Sequence, residues 1–229
     1  MAEEKITLSK QDRRSVALRS TFLQGSWNYE RMQNGGWCFA MIPAIKKLYT
    51  NKEDQKAALK RHLEFFNTHP YVASPVLGVT LALEEEKANG AQVDDAAIQG
   101  VKVGMMGPLA GVGDSLIHGT LRPIMAGLAC SMVAASNYIS PIGPILFFAV
   151  MTIVGMGVRY FGIFKGYEGG LALVANLQEG GMFDRLTKYA GIAAFTVCGG
   201  FISALVYVTL NISYTQGDTV IALQEVLDG

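Results

Sequence analysis

Two long stretches of the chain carry no charged side chain, and they separate its apolar part from its polar part. The first runs from Pro123 to Val158 and the second from Tyr189 to Gly217. Each stretch exceeds the roughly 20 residues that a helix needs to cross a bilayer. Polar, glycine and proline residues at 136–144 interrupt the first stretch. The pattern therefore predicts two helices there, at about 123–136 and 144–158.

The first of these helices is short for a complete crossing, and it directly follows a glycine-rich run at 104–123. Asp114 is the one acidic side chain in that run. Glycine and proline free backbone groups from regular hydrogen bonding, and at membrane depth such groups are tolerated only against protein or a wet cavity. We therefore expect a broken segment and a re-entrant hairpin that line a solute-carrying cavity. The second uncharged stretch predicts an ordinary transmembrane helix at 190–210.

Charged residues recur too often in the N-terminal third for a membrane crossing, but their spacing is helical. Ser9 and Asp12 resemble a capping box, which predicts an amphipathic helix to about Phe22. Further helices are expected at about 29–48, with kinks at its glycines and Pro43, and at 51–66. These helices would lie at the membrane surface or in the cytoplasm.

Between these helices and the glycine-rich run, the pattern predicts two more helices. One spans about 75–88 and ends at a turn formed by Asn89-Gly90. The next begins at Asp94-Asp95, where acidic residues are favoured by the positive end of the helix dipole. We find no repeat or linker and expect a single domain over 1–229. Its parts are the amphipathic 1–66, the hairpin and transmembrane 67–210, and an extracytoplasmic tail at 211–229.

The charges cancel overall, but they are distributed unevenly along the chain. Twelve of the 19 Lys and Arg residues precede His62, and none follows Lys188. By the positive-inside rule, the N-terminal third faces the cytoplasm. With 50% hydrophobic and 17% charged residues, the chain is expected to be an all-α, multi-pass integral membrane protein without a basic nucleic-acid surface.

The sequence gives little support for a nucleotide site, a metal site or a catalytic site of the kinds found in soluble proteins. The segment 111–116 begins like a dinucleotide fingerprint but lacks its third small residue and a preceding strand. The histidines are far apart and have no metal-ligand spacing, so we predict no metal site and no cofactor. No nucleophile, base and orienting group occur at plausible spacing, so we predict no catalytic residue. The cysteines are expected to be packed core residues rather than disulfide partners: Cys38, Cys130 and Cys198.

Asp114 is the strongest candidate for a functional residue. An unpaired acid near the bilayer centre costs roughly 2.5–3.5 kcal/mol, which some interaction must offset. One interpretation is an N-cap for a helix beginning at Ser115; the other is an acceptor for the hydroxyls of a polar solute. If the segment is helical, Asp114, His118 and Arg122 share a face, and Arg122 neutralises an acid, caps the hairpin or contacts ligand. We expect His118 to be a packed core residue.

Four further side chains are candidate substrate contacts. Asn67 and Thr68 end a helix before a proline, where they either face a ligand or close a turn. Gln24 and Trp27 offer the amide and indole groups that sugar sites use, although an interfacial tryptophan anchor is equally consistent. Four glycines in the run are expected to permit a bend and close helix approach: Gly104, Gly107, Gly111 and Gly113.

Four blocks of sequence, in this order, carry a resemblance to a known family. They are Phe22–Met32 (FLQGSWNYERM), Arg61–Thr68 (RHLEFFNT), Gly78–Glu85 (GVTLALEE) and Gly107–Asp114 (GPLAGVGD), the last followed by Gly119-Thr120 and Arg122-Pro123. Over nearly its whole length, the chain resembles the IID membrane component of the bacterial mannose-type (mannose/fructose/sorbose) sugar phosphotransferase system.

The resemblance implies a non-catalytic transporter subunit of the bacterial cytoplasmic membrane, embedded in lipid with its N-terminus inside the cell. Such a subunit forms an obligate complex with IIC, as a trimer of pairs, and translocates mannose or glucose by an elevator-like movement. Cytoplasmic IIAB then phosphorylates the arriving sugar, while IID itself is not phosphorylated. Members of the family usually continue past the position of Gly229, and many carry an aromatic residue where this chain has His118.

A second interpretation belongs to a different functional class. IIC would hold the whole sugar site, and this chain would supply a scaffold and an outer surface recognised by class II bacteriocins, as the resemblance implies for some relatives. Sugar binding by IIC alone distinguishes the two interpretations.

Overall fold

The fold is helical. The structure is a computed structural model that describes residues 5–179, 188–189, 192, 196, 199, 213–216 and 219–222. The transmembrane helix predicted at 190–210 and the predicted tail lie largely outside these residues. The helices are α1 (Lys10–Arg19), α2 (Asn34–Leu48), α3 (Lys52–Arg61), α4 (Ser74–Ala88), α5 (Asp95–Gly113), α6 (Arg122–Ala135) and α7 (Ile142–Glu179). Two short antiparallel strands follow, β1 (Ser213–Gln216) and β2 (Thr219–Ala222).

The start of α1 confirms the predicted capping box. The Ser9 hydroxyl accepts from the Asp12 amide at 3.2 Å, and the Asp12 carboxylate accepts from the Ser9 amide at 2.9 Å. A 3₁₀ turn continues the helix to Phe22, where the sequence placed its end. The satisfied amides explain why the chain becomes helical at this point.

Both helices that follow are shorter than predicted. Residues 28–32 close a tight bridge, with Met32 at a φ of 56°, so α2 begins at Asn34 and then continues through Pro43. Helix α3 ends at Arg61, and the chain is extended where Phe66 accepts a hydrogen bond from the Gln33 amide at 2.9 Å. The predicted helix over 51–66 was therefore wrong after Arg61. The chain leaves the helical path there, and Phe66 packs in the core.

The core lies among α1, α2 and α4. Trp37 and Phe66 are fully buried with ring centroids 4.1 Å apart, surrounded by Met41, Leu77 and Leu81. Aromatic pairs of this size dominate a core because each buries a large apolar area. Cys38 is buried as expected, whereas Cys130 is exposed, so its assignment to a packed core was wrong.

Helices α4 and α7 approach each other through glycines. A Cβ at Gly78 would overlap the Ile163 carbonyl, and a Cβ at Gly166 would overlap the Pro75 carbonyl. Gly162 and Gly166 form a G-x-x-x-G pair, a spacing that permits close contact between helices. The Ser74 hydroxyl lies between the two helices and donates to the Val158 carbonyl at 3.0 Å.

The glycine-rich run is continuously helical, so the expected break in its backbone was wrong. Helix α5 passes directly into a π-helix at Asp114–Leu121, and the π-helix passes directly into α6. A π turn is wider than an α turn, so the helix changes register here while its backbone groups stay hydrogen-bonded within the helix. The predicted break before α7 is confirmed by a turn at 136–141, in which Asn137 and Tyr138 have positive φ.

Helix α7 extends beyond the predicted end near residue 158 and kinks at Gly170, which has a φ of 48°. Three of its charged residues have partners: the Arg159 guanidinium lies 4.4 Å from the Tyr71 ring centroid, and Lys165 pairs with Glu168 at 3.1 Å. Charge therefore did not mark the end of this helix.

Two segments are long and apolar enough to span a bilayer. They are Asp95–Ala135, with 41 residues and a mean hydropathy of 1.3, and Ile142–Gly170, with 29 residues and a mean hydropathy of 1.8. In the most apolar 18 residues of each segment, only 17% and 22%, respectively, are buried within the chain. A core helix of a soluble protein would be mostly buried, so these exposed apolar surfaces indicate contact with lipid or another membrane chain.

Candidate functional site

A glutamine side chain on the turn before α2 holds the loop that contains Asn67 and Thr68. Gln33 Nε2 donates to the Thr68 carbonyl at 2.7 Å, and Gln33 Oε1 accepts from the Thr68 amide at 3.1 Å. The Thr68 hydroxyl donates to the Met106 carbonyl of α5 at 2.9 Å. These buried bonds support the interpretation of Thr68 as a residue that closes a turn, while Asn67 beside it is exposed. Contact of either residue with a sugar stays a prediction.

The loop lies directly against the end of α5 because residue 113 has no side chain. A Cβ at Gly113 would overlap Cβ and Cγ of His69. Gly113 thus allows a loop to approach the helix closely, whereas the sequence predicted close approach of another helix. It brings the loop that follows Asn67 and Thr68 next to Asp114.

Asp114 is not an N-cap, because its φ of −65° and ψ of −43° are helical. Its carboxylate is 63% exposed, and Oδ1 lies 3.6 Å from His118 Nδ1. The His118 ring lies 4.5 Å from the buried His69 ring, measured between centroids. The sequence treated these histidines as too far apart to act together, but the contact between the loop and α5 joins them.

Burial, and next the neighbouring His118, lower the pKa of His69 to about 4, so this ring is neutral at neutral pH. The Tyr71 amide donates to His69 Nδ1 at 3.3 Å, and His69 Nε2 is buried without a hydrogen-bond partner among the described residues. His118 is 43% exposed, so its expected place in a packed core was wrong.

Arg122 begins α6 and is exposed. Among the described residues the ionisable side chain nearest to Asp114 is that of His118, at 3.6 Å, and no ion pair joins Asp114 to Arg122. The structure therefore does not support neutralisation of Asp114 by Arg122. A capping or ligand role for Arg122 stays a prediction.

Gln24 and Trp27 lie apart from this cluster, on the turn between the 3₁₀ segment and α2. Both are exposed, and the Trp27 ring packs edge-on against Tyr29 with centroids 4.9 Å apart. Next to them is an open cavity of about 300 Å³, lined by Phe22, Gly25, Ser26, Gly36 and Phe39. The described hydrogen bonds and ring contacts do not join either side chain to Asn67 or Asp114.

Three of the predicted glycines form an exposed face on α5. Gly104, Gly107 and Gly111 follow the spacing of one helix side and are all exposed. A Cβ at Gly107 or Gly111 would meet nothing within 4 Å. Asp114 follows Gly111 by three residues, so the carboxylate lies at the end of this glycine face.

Sequence reasoning missed a buried charge network around Glu84 of α4. The Arg61 guanidinium contacts both Glu84 oxygens, with Nε at 2.6 Å and Nη2 at 3.0 Å. The Tyr49 hydroxyl donates to the same carboxylate at 2.7 Å, and His62 Nε2 lies 3.0 Å from it. Arg61 therefore pairs with Glu84, and with Asp95 at 3.2 Å, rather than with nearby Glu64.

The network fixes the ionisation of its members. Burial alone would raise the pKa of Glu84, but the contacts from Arg61 and His62 outweigh it and lower the pKa to about 2. Burial and the Glu84 carboxylate raise the pKa of Tyr49, and burial lowers the pKa of His62. A signal was present in the sequence: Glu84 follows Leu77 and Leu81 at the spacing of their buried helix face.

The fold and site together define a helical membrane protein with a polar cluster beside an exposed glycine face. Residues 7–229 match the family model described as the PTS system mannose/fructose/sorbose family IID component. The chain belongs to this family.

Named relatives agree with this membership over nearly the full chain. The chain is 46% identical to the mannose-specific EIID component of Escherichia coli, covering 99% of this chain and 80% of that protein. It is 44% identical to the sorbose-specific EIID component of Klebsiella pneumoniae, covering 100% and 83%. It is 43% identical to the fructose permease IID component of Bacillus subtilis, covering 92% and 74%.

Solved structures are similar as well. A structure of the mannose transporter ManYZ in complex with a microcin matches with a TM-score of 0.70 and 45% identity, over 98% of this chain and 83% of that one. A structure described as a membrane protein matches with a TM-score of 0.85 and the same identity and coverage. The family resemblance stated from the sequence is thereby confirmed.

Proposed function

We propose that this chain is the IID subunit of a phosphoenolpyruvate-dependent sugar transporter and acts with IIC to translocate a mannose- or glucose-type hexose. The sugar is phosphorylated by the IIB unit of the IIAB phosphocarrier as it arrives. The similar permease components and the solved mannose transporter support this assignment. We further propose that the subunit lies in the bacterial cytoplasmic membrane with its N-terminus inside, as part of a trimer of IIC–IID pairs.

The observation that carries a sugar role for this subunit is the position of Asp114. Its carboxylate is exposed at the end of a glycine face on a helix long and apolar enough to span the membrane. A carboxylate accepts hydrogen bonds from hydroxyls, and those bonds are stronger than neutral ones. Asn67, exposed on the adjoining loop, supplies an amide that both donates and accepts. We propose that IIC covers this face and that the hexose binds between the two subunits.

The test is equilibrium binding of radiolabelled mannose to the purified IIC–IID complex. We expect Asp114→Asn to weaken binding by about tenfold or more, since a hydrogen bond to a charged group contributes roughly 1.5–3 kcal/mol. Asn67→Ala should weaken it about three- to tenfold, and the matched control Asp54→Asn, on exposed α3, should leave it unchanged. Equal affinity in all four proteins, at matched assembly, would remove the sugar from this subunit.

The second candidate function is a scaffold and receptor subunit, favoured by the microcin bound in the similar ManYZ structure. In that case, IIC alone binds mannose as tightly as the complex does. If IIC alone binds no mannose and the complex does, the scaffold function is excluded.

A further inference from the structure

The side chains of His69, Asp114 and His118 converge where the loop before α4 meets the π-helix. One donor atom from each residue can be chosen so that all three atoms lie within 4.8 Å of one another. The three come from two separate elements of the chain. This cluster is a built feature of the fold, since Gly113 is what allows His69 to approach the helix.

The distances in the cluster do not fit direct hydrogen bonding between its members. His118 Nδ1 and Asp114 Oδ1 are 3.6 Å apart, which is beyond the range of a hydrogen bond. Ligand atoms around a tetrahedral Zn²⁺ are about 3.3 Å apart, given Zn–N distances of about 2.0–2.1 Å. This one separation is close to that of ligands around a shared cation, and the other two lie within 4.8 Å.

A second observation comes from His69 itself. This side chain is 3% exposed, and its Nε2 is buried without a hydrogen-bond partner among the described residues. Buried ring nitrogens normally have a partner, so an unpartnered one beside a carboxylate and a second imidazole points to a ligand.

We propose that His69, Asp114 and His118 bind a divalent transition-metal ion of the zinc type, which joins the loop before α4 to the π-helix. Two imidazoles and one carboxylate suit zinc-type ions, whereas Ca²⁺ and Mg²⁺ require oxygen ligands. Three protein ligands leave a coordination position for water or another donor. The site shares Asp114 with the sugar site proposed above, whereas His69 and His118 belong to the metal site alone.

Binding requires adjustments that the local structure allows. Asp114 and His118 are exposed and can rotate to close the wider separations. Coordination through His69 Nε2 places the ring proton on Nδ1, so the long 3.3 Å contact from the Tyr71 amide is given up for the metal bond.

The test is titration of the metal-stripped IIC–IID complex with Zn²⁺ by calorimetry and with Co²⁺ by visible absorption. We expect one Zn²⁺ per chain, and a loss of affinity of roughly 100-fold or more in His118→Phe. His118→Cys should retain binding because a thiolate also coordinates zinc. The control Cys130→Ser, which removes an exposed thiol, should bind as the original chain does.

Three results would overturn the proposal: no saturable Zn²⁺ binding, the same affinity in His118→Phe, or loss of binding in Cys130→Ser. If His118→Phe does not assemble with IIC, Asp114→Asn decides the question by its Co²⁺ spectrum. A weaker and shifted spectrum supports the site, and an unchanged spectrum overturns it. Mannose binding measured separately distinguishes failure of this site from failure of the proposed transport function.

Discussion

At the scale of single residues, the clearest stabilising feature is the buried ion pair between Glu84 and Arg61. Glu84 has no exposed side-chain surface, and Arg61 is 11% exposed, yet the two form a two-point contact. A buried ion pair is costly to form, but removal of one partner is more costly because it leaves an uncompensated charge. The network therefore fixes the ends of α3 and α4 relative to each other.

Glu84→Gln is expected to destabilise the complex by about 3–5 kcal/mol at neutral pH, because Arg61 stays buried without its counter-charge. The pKa of Glu84 falls from 4.5 to about 2 in the folded chain. Its stabilising effect is therefore complete above about pH 4.5 and is lost as the pH falls toward 2. Thermal unfolding of the purified complex between pH 7 and 3 measures this effect.

The control for this prediction is Glu86→Gln, which changes an exposed carboxylate on the same helix. We expect it to keep the original stability and the original loss of stability in acid. The Glu84→Gln complex should lose less stability than the original between pH 4.5 and 3. An identical acid response in the two proteins would show that Glu84 is not the group responsible.

At the scale of elements, the sequence predicted most helix bounds but missed the start of α2 and the ends of α3 and α7. The capping box at Ser9 and the acids before α5 are local signals that bond to nearby amides. The ends of α3 and α7 depend instead on distant partners, such as Glu84 for Arg61 and Tyr71 for Arg159. Helical hydropathy also does not distinguish α from π turns, so the π-helix that begins at Asp114 was not predicted.

Gly113→Ala tests the contact that assembles the candidate site. The added Cβ would overlap the His69 side chain, so we expect a loss of stability of about 1–3 kcal/mol through overpacking. The displaced loop should also weaken mannose binding, since it carries Asn67. Thermal unfolding and the binding assay on the same preparation measure the two effects.

Gly100→Ala is the matched control, because it lies on the same helix and a Cβ there would meet nothing within 4 Å. It should leave binding unchanged and keep or slightly raise stability, given the higher helix propensity of alanine. If Gly113→Ala behaves like Gly100→Ala, close approach of the loop to α5 is not required.

At the scale of the whole molecule, the chain divides into a packed N-terminal region and apolar helices that are largely exposed. The core residues lie mainly on α2 and α4, with further ones on α1 and α5, whereas the most apolar parts of the two long helical segments are mostly exposed. Hydropathy predicted this division, because the division follows from the composition of each segment. The joining of His69 to His118 was not predictable in this way, since it depends on a loop and a helix distant in sequence.

The exposed glycine face on α5 leads to a prediction about assembly. Small residues let membrane helices approach closely, and without a hydrophobic driving force such packing holds the helices together. We propose that IIC packs against Gly104, Gly107 and Gly111. A Cβ at 107 or 111 would meet nothing within 4 Å in this chain, so we expect Gly107→Leu and Gly111→Leu to keep its own fold and to prevent co-purification with IIC. Gly157→Leu, at an exposed glycine of α7 where a Cβ also meets nothing within 4 Å, should co-purify normally. Recovery of an intact complex with leucine at both 107 and 111 would place the IIC interface on another face, and Asp114 would then face lipid or water instead of a sugar held between two subunits.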